Sequence, residues 1–194
     1  MPVSLAKGQN GPLTATDVVV SVELTTPADL SALLVKPDGK VRSDADFVFF
    51  NQPTGPGVRL RARPSCPAPR SADLLNPVPS AVCKSRAVIP GVRLVPGAPG
   101  QAASLAVSLN QVPADIDQVR AVITLDDASS SFGRFAPPTA RVADTAGTVL
   151  YEYRIDGLSS ESIVIALELY RRQGTLKVRA VGQGYAGGFA ALVT

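Results

Sequence analysis

Short β-branched runs separated by turn residues dominate this chain. No stretch of ten residues carries a helical apolar period, so the core has to be built from strands. Val18-Val19-Val20-Ser21-Val22-Glu23-Leu24 is the first such run. Residues 32–35 follow and close on Lys36-Pro37-Asp38-Gly39-Lys40. There Pro presets the first central φ, Asp bonds its own backbone and Gly accepts a positive φ. Phe47-Val48-Phe49-Phe50 predicts the next strand, which ends at Asn51-Gln52-Pro53. Farther on, residues 104–109 alternate and residues 118–125 form a long β-branched run, with Pro113-Ala114-Asp115-Ile116-Asp117 between them as a single helical turn. Two hairpins complete the pattern. Residues 140–143 and 148–155 flank Asp144-Thr145-Ala146-Gly147, and residues 162–170 and 175–181 flank Arg171-Arg172-Gln173-Gly174. The run 162–170 is apolar enough for a helix, but its β-branched residues and the Gln-Gly turn favour a hairpin. Eight or nine strands with tight turns predict an all-β protein, an antiparallel β-sandwich with short helical turns, in one domain over residues 1–194.

One segment breaks this pattern. Between Pro56 and Gly100 lie nine of the 17 prolines and both cysteines, Cys66 and Cys83. Each proline fixes φ and removes a backbone donor, which forbids long regular elements. The same segment holds Arg59, Arg61, Arg63, Arg70, Lys84, Arg86 and Arg93 against Asp73 alone. The formal charge of +3 for the chain therefore belongs to this segment, and the remainder is net acidic. Residues 54–103 accordingly read as a long, irregular Pro/Arg-rich excursion. Its arginines offer contacts for phosphates or acidic partners, although a solvated loop has the same composition. No clear nucleic-acid motif accompanies them, and no residue pattern names a protein partner. Pro56-Gly57-Val58-Arg59-Leu60 is echoed by Pro90-Gly91-Val92-Arg93-Leu94, too short an echo to make a repeat architecture.

Composition limits the chemistry. There is no histidine, which removes the usual general base at neutral pH, the Ser-His-Asp triad and every His zinc site. Two cysteines without chelating spacing do not make a metal centre, and Cys66 lacks a base partner. The glycine-rich Gly182-Gln183-Gly184-Tyr185-Ala186-Gly187-Gly188 lacks the Lys-Ser/Thr ending of a phosphate loop. No catalytic residue and no enzyme activity are expected. No apolar run reaches the roughly 18 to 20 residues of a membrane span, and Met1-Pro2-Val3-Ser4-Leu5-Ala6-Lys7 is too polar for a signal peptide, so the expected compartment is cytoplasmic. The clearest candidate metal ligands are Asp29, Asp44 and Asp46. Hairpin pairing of the strands they precede would bring them to one end of the sandwich, and calcium takes carboxylate and carbonyl oxygens on loops. The same residues equally suit solvated turn ends. Asp126-Asp127-Ala128-Ser129 invites the same pair of readings.

Several of these stretches together resemble the bacterial tellurium-resistance, TerD-type stress-protein family. Val3-Ser4-Leu5-Ala6-Lys7-Gly8 resembles its V-S-L-x-K-G. Gly39-Lys40-Val41-Arg42-Ser43-Asp44-Ala45-Asp46-Phe47-Val48-Phe49-Phe50-Asn51 resembles G-K-V-x-x-D-x-D-F-x-F-Y-N. Val112-Pro113-Ala114-Asp115-Ile116-Asp117, Ser131-Phe132-Gly133 and Glu168-Leu169-Tyr170-Arg171 resemble V-P-x-D-V-D, S-F-G and E-L-Y-R. Arg179-Ala180-Val181-Gly182-Gln183-Gly184-Tyr185-Ala186-Gly187-Gly188 resembles R-A-V-G-Q-G-Y-x-G-G. The matches run in order along the chain outside about residues 54–103. The resemblance implies a β-sandwich that binds calcium through acidic loops and serves resistance to tellurite and other stresses, without a known reaction. Asp44 and Asp46 fall on the family's second acidic motif, and Asp29 on the later Asp of the motif before Ala-Ser-Ala. The earlier Asp of that motif falls on Pro27, and the acidic loop before V-P-x-D-V-D is here residues 95–104, without a carboxylate. Calcium binding is therefore expected to be weakened or lost.

Overall fold

The computed structural model describes residues 1–26, 28–42, 46–48, 54–55, 57–61, 104–127 and 129–186. Among them thirteen strands form two sheets. In chain order they are β1 (Val3–Ser4), β2 (Asn10–Pro12), β3 (Asp17–Glu23), β4 (Ala28–Val35), β5 (Phe47–Val48), β6 (Thr54–Gly55) and β7 (Val58–Arg61). They continue as β8 (Ser104–Ser108), β9 (Gln118–Leu125), β10 (Thr139–Asp144), β11 (Val149–Arg154), β12 (Ile163–Arg172) and β13 (Thr175–Tyr185). One sheet runs β1-β11-β10-β3-β8-β7-β6 and the other β2-β13-β12-β9-β4-β5. Every pairing is antiparallel except the edge pair β1–β11, which is parallel.

The alternation of each run sets which face is buried. In β3, Val18, Val20 and Val22 point into the core while Val19 and Ser21 are half-buried on the other side. They meet Leu105 and Val107 of β8 and Ala140 and Val142 of β10, and across the sandwich Leu30 and Leu34 of β4, Ile123 of β9 and Val178 of β13. The second sheet is apolar on its outer face too, where Leu33, Val35, Val122, Ile163 and Ile165 cluster with Val41, Phe47, Val181 and Tyr185. This explains why β4 reads as a nearly unbroken apolar run.

The turns follow their chemistry. Gln173 and Gly174 both have positive φ, 52° and 75°, the conformation of the tight two-residue hairpin that joins Arg172 to Thr175. Gly39 at φ 81° closes the Lys36–Lys40 turn, with the Lys36 N–H donating to the Lys40 carbonyl at 2.9 Å. The helical turn expected at Pro113–Asp117 is a single hydrogen-bonded turn, closed by the Ile116 N–H on the Pro113 carbonyl at 3.0 Å, without a helix beyond it. A short 3-10 helix stands at Phe132–Arg134, where Phe132 plugs the core. Strand β5 covers only Phe47–Val48 of the expected 47–50 run, and the rest of that run lies outside the described residues. The segment expected to be irregular over 54–103 is corrected at its start, where Thr54–Gly55 and Val58–Arg61 pair as β6 and β7; Cys66, Cys83 and the rest of it, residues 62–103, lie outside the described residues. The chain enters and leaves that segment through a closed ladder, since β7 and β8 pair antiparallel with Arg61 opposite Ser104.

Candidate functional site

Two clusters of charge lie at opposite ends of the second sheet. At one end β4 stops at Val35 and β9 starts at Gln118, which pairs with it. Past the Lys36–Lys40 turn the chain reaches Arg42, whose guanidinium donates from Nε to Asp46 Oδ2 and from Nη2 to Asp46 Oδ1, both at 2.6 Å. The remaining Nη1 donates to both oxygens of Asp115, at 2.9 and 2.7 Å. Asp46 is 1% exposed, so a partner for each oxygen is required there. Hydrogen bonds to Asp46 and then Asp115 raise the Arg42 pKa above its usual value, and the Arg42 contact holds the Asp115 carboxyl below the usual range. Asp115 belongs to the β8–β9 connection, which has further anchors. Arg171 Nη2 donates to the carbonyls of Leu109 and Val112, the second at 3.0 Å, and the Asp117 N–H donates to the Val35 carbonyl at 2.9 Å.

At the other end Asp29 is exposed on β4 opposite Thr124, and Asp126 and Asp127 directly follow β9. Asp127 Oδ1 accepts from the Ser129 hydroxyl at 2.6 Å and its N–H at 2.9 Å, which lowers its pKa. Glu161 Oε2 accepts the Ser159 N–H at 2.6 Å, and that bond depresses the Glu161 pKa.

The structure therefore separates the residues grouped from the sequence. Phe47 pairs with Leu33, which places Asp46 past the Leu33 end of β4. Asp29 stands four residues before Leu33, about 13 Å away at 3.3 Å a residue. Asp44 lies outside the described residues. A calcium ion needs about six to eight oxygens at roughly 2.3–2.6 Å. Asp29 and Asp46 are too far apart to share one, and both oxygens of Asp46 already face a cation. These residues do not fit calcium as a joint site. Sequence reasoning missed Arg42 as the partner of Asp46, although its position four residues earlier was the available signal.

A second charged feature sits on the outer face of the same sheet. Both ladders of β12 shift register between Ile165 and Leu167, and the bulge turns Glu168 out of the core. It then lies in one row with Arg120 and Arg179. Glu168 is buried; its Oε1 meets the Arg179 guanidinium and its Oε2 is 3.9 Å from Arg120 Nε. The Arg179 guanidinium also stands 5.7 Å from the Tyr170 ring centre.

Comparison with known proteins decides the family. The TerD domain model matches residues 1–68 and 84–194, well over half of the chain. The chain belongs to the TerD domain family. Within it, a tellurium resistance protein TerD from Alcaligenes sp is 32% identical, over 99% of this chain and 95% of its own. General stress protein 16U from Bacillus subtilis (strain 168) is 31% identical, over 100% and 96%. A crystal structure of a homologue of telluride resistance protein from Streptomyces coelicolor A3(2) has a TM-score of 0.60 at 13% identity, covering 92% of this chain and 95% of that one, and shares the fold. The expected β-sandwich and the resemblance to the TerD-type family are both borne out. Among the described residues, no helix is long and apolar enough to cross a membrane.

Proposed function

We propose that this TerD domain is a non-catalytic binding or scaffold protein of the cytoplasmic stress response, with calcium binding weakened or lost. Its relatives carry the names of tellurium resistance and general stress proteins, and tellurite resistance is the condition in which the role is sought. The observation that carries the calcium part is the arginine on Asp46: a buried carboxylate bonded through both oxygens to a guanidinium is a poor ligand for a divalent ion. Support for a non-catalytic role comes from the sequence, which holds no histidine to serve as base. Calorimetric titration of the chelator-treated protein with calcium tests the metal statement. Weak or absent heat is expected, and a dissociation constant tighter than about 10 µM, the sensor range, contradicts it. Growth on tellurite with and without the protein, compared in one host, tests the stress role. Equal growth of the two strains counts against it.

A further inference from the structure

We infer that Arg42, Asp46 and Asp115 form a latch that fixes the β8–β9 connection to the β4–β5 connection, and that Asp46 serves this latch instead of a metal ion. The inference deepens the reading above by giving Asp46 a task of its own, and its experiment separates the two.

The guanidinium is shared in a way that makes the latch directional. Its Nε and Nη2 fork grips the buried Asp46 within the same connection, at 2.6 Å on each oxygen, which fixes the plane of the guanidinium. The outward Nη1 then has one orientation, and Asp115, 73 residues away in sequence, meets it with both oxygens. Asp46 is thus the buried anchor, Arg42 the arm and Asp115 the catch. Beside them the Asp117 N–H bonds the carbonyl of Val35 at the end of β4, and the Ile116 side chain is buried in the core, so the β8–β9 connection is anchored next to the latch by other means as well. The residues spanned by the latch include all of 62–103. The sandwich end is held closed from both sides of that segment by contacts that do not involve it. A divalent ion using Asp46 would have to displace the arm, which would leave a guanidinium against the ion.

The experiment compares Asp46→Asn, Arg42→Gln and the double variant with the wild type in calcium-free buffer. Arg42→Gln is expected to lower the thermal midpoint by roughly 6–20 °C, because it leaves the buried Asp46 carboxylate alone, and Asp46→Asn lowers it by less, because the exposed Arg42 keeps Asp115. The double variant falls no further than the worse single one. Asp115→Asn costs less than roughly 4 °C, since that carboxylate is exposed. In Asp46→Asn, hydrogen exchange at the Ile116 and Asp117 amides speeds up by roughly tenfold or more, a readout that damage confined to the β4–β5 connection would not move. Should Arg42→Gln fail to fold, Arg42→Lys keeps the charge without the fork and gives a smaller midpoint loss with the same faster exchange. Additive losses, or unchanged exchange at Ile116 and Asp117, would overturn the latch. So would a wild-type calcium isotherm that Asp46→Asn abolishes. If the wild type binds calcium tightly and Asp46→Asn binds it as well, the calcium statement above falls and the latch stands.

Discussion

Individual side chains at the two ends of the sandwich answer differently to pH and to truncation. Glu161 has its pKa held down from the ordinary 4.5 chiefly by the Ser159 N–H. A depressed carboxylate contributes stability that is present above its unfolded pKa and is lost as pH falls through the folded one. Thermal midpoints recorded from pH 6 to pH 3 should therefore fall below about pH 4.5, and Glu161→Gln should flatten part of that fall while starting from a lower midpoint at pH 6. An identical slope in the variant would remove Glu161 from the acid response. Glu168 is a different case because it is buried between two arginines. Glu168→Leu leaves Arg120 and Arg179, both partly exposed, facing each other with no carboxylate between them, and should cost about 1 kcal/mol by urea unfolding. Replacing all three by apolar residues should recover most of that loss, since the surrounding face already holds Leu33, Val122 and Ile165. Gly133 shows a third kind of constraint. A side chain there would run into the backbone of Ser159, so Gly133→Ala should destabilise by about 1–3 kcal/mol in the same measurement.

At the level of strands and turns, much of the fold was legible in the sequence. Strand β9 coincides with the expected run 118–125, because four β-branched residues in eight leave little freedom, and the Gln173-Gly174 turn carries its own conformational signature. The bulge after Ile165 was not legible. The extra residue in β12 is visible only against β9, and the matching irregularity against β13 puts the extra residue in β13; together they decide that Glu168 faces outward. The parallel pairing of β1 was equally hidden, since two residues carry no pattern and only the neighbouring β11 gives them a place. For the candidate site, the acidic residues were visible and their grouping was not. Counting along the hairpin put Asp29 and Asp46 at one end, whereas the β4–β5 register begins at Leu33 and sets them at two. The ladder between Arg61 and Ser104 supports a prediction at this scale. Replacing residues 62–103 by Asn-Gly joins two strand ends already in register, through a turn that suits their twist. The shortened protein should fold with a thermal midpoint no lower than the full chain, because a shorter loop costs less closure entropy. A collapsed circular dichroism spectrum or a markedly lower midpoint would show that the sandwich depends on the removed residues.

For the whole molecule, calcium can be judged by stability alone. A site with a dissociation constant of about 10 µM, saturated with about 1 mM calcium, would stabilise the protein by about 2.7 kcal/mol. In a chain of this length that is a rise of about 5–11 °C in the midpoint. With calcium binding weakened or lost, the chelated and calcium-supplemented melts agree within about 2 °C, and a rise in the larger range would refute that loss. The closed ladder between β7 and β8 also bears on what happens when the backbone is cut. A protease that nicks the chain once between Arg61 and Ser104 leaves one fragment carrying β1 to β7 and another carrying β8 to β13. Both sheets contain strands from each fragment, with β3 seated between β8 and β10, and β4 between β9 and β5. Neither piece can complete a sheet without the other, so the two should stay associated through gel filtration and separate only on denaturation. Expressed as two genes, they would reconstitute the fold on meeting, and the molecule becomes a natural split reporter for the proximity of whatever is fused to the new ends.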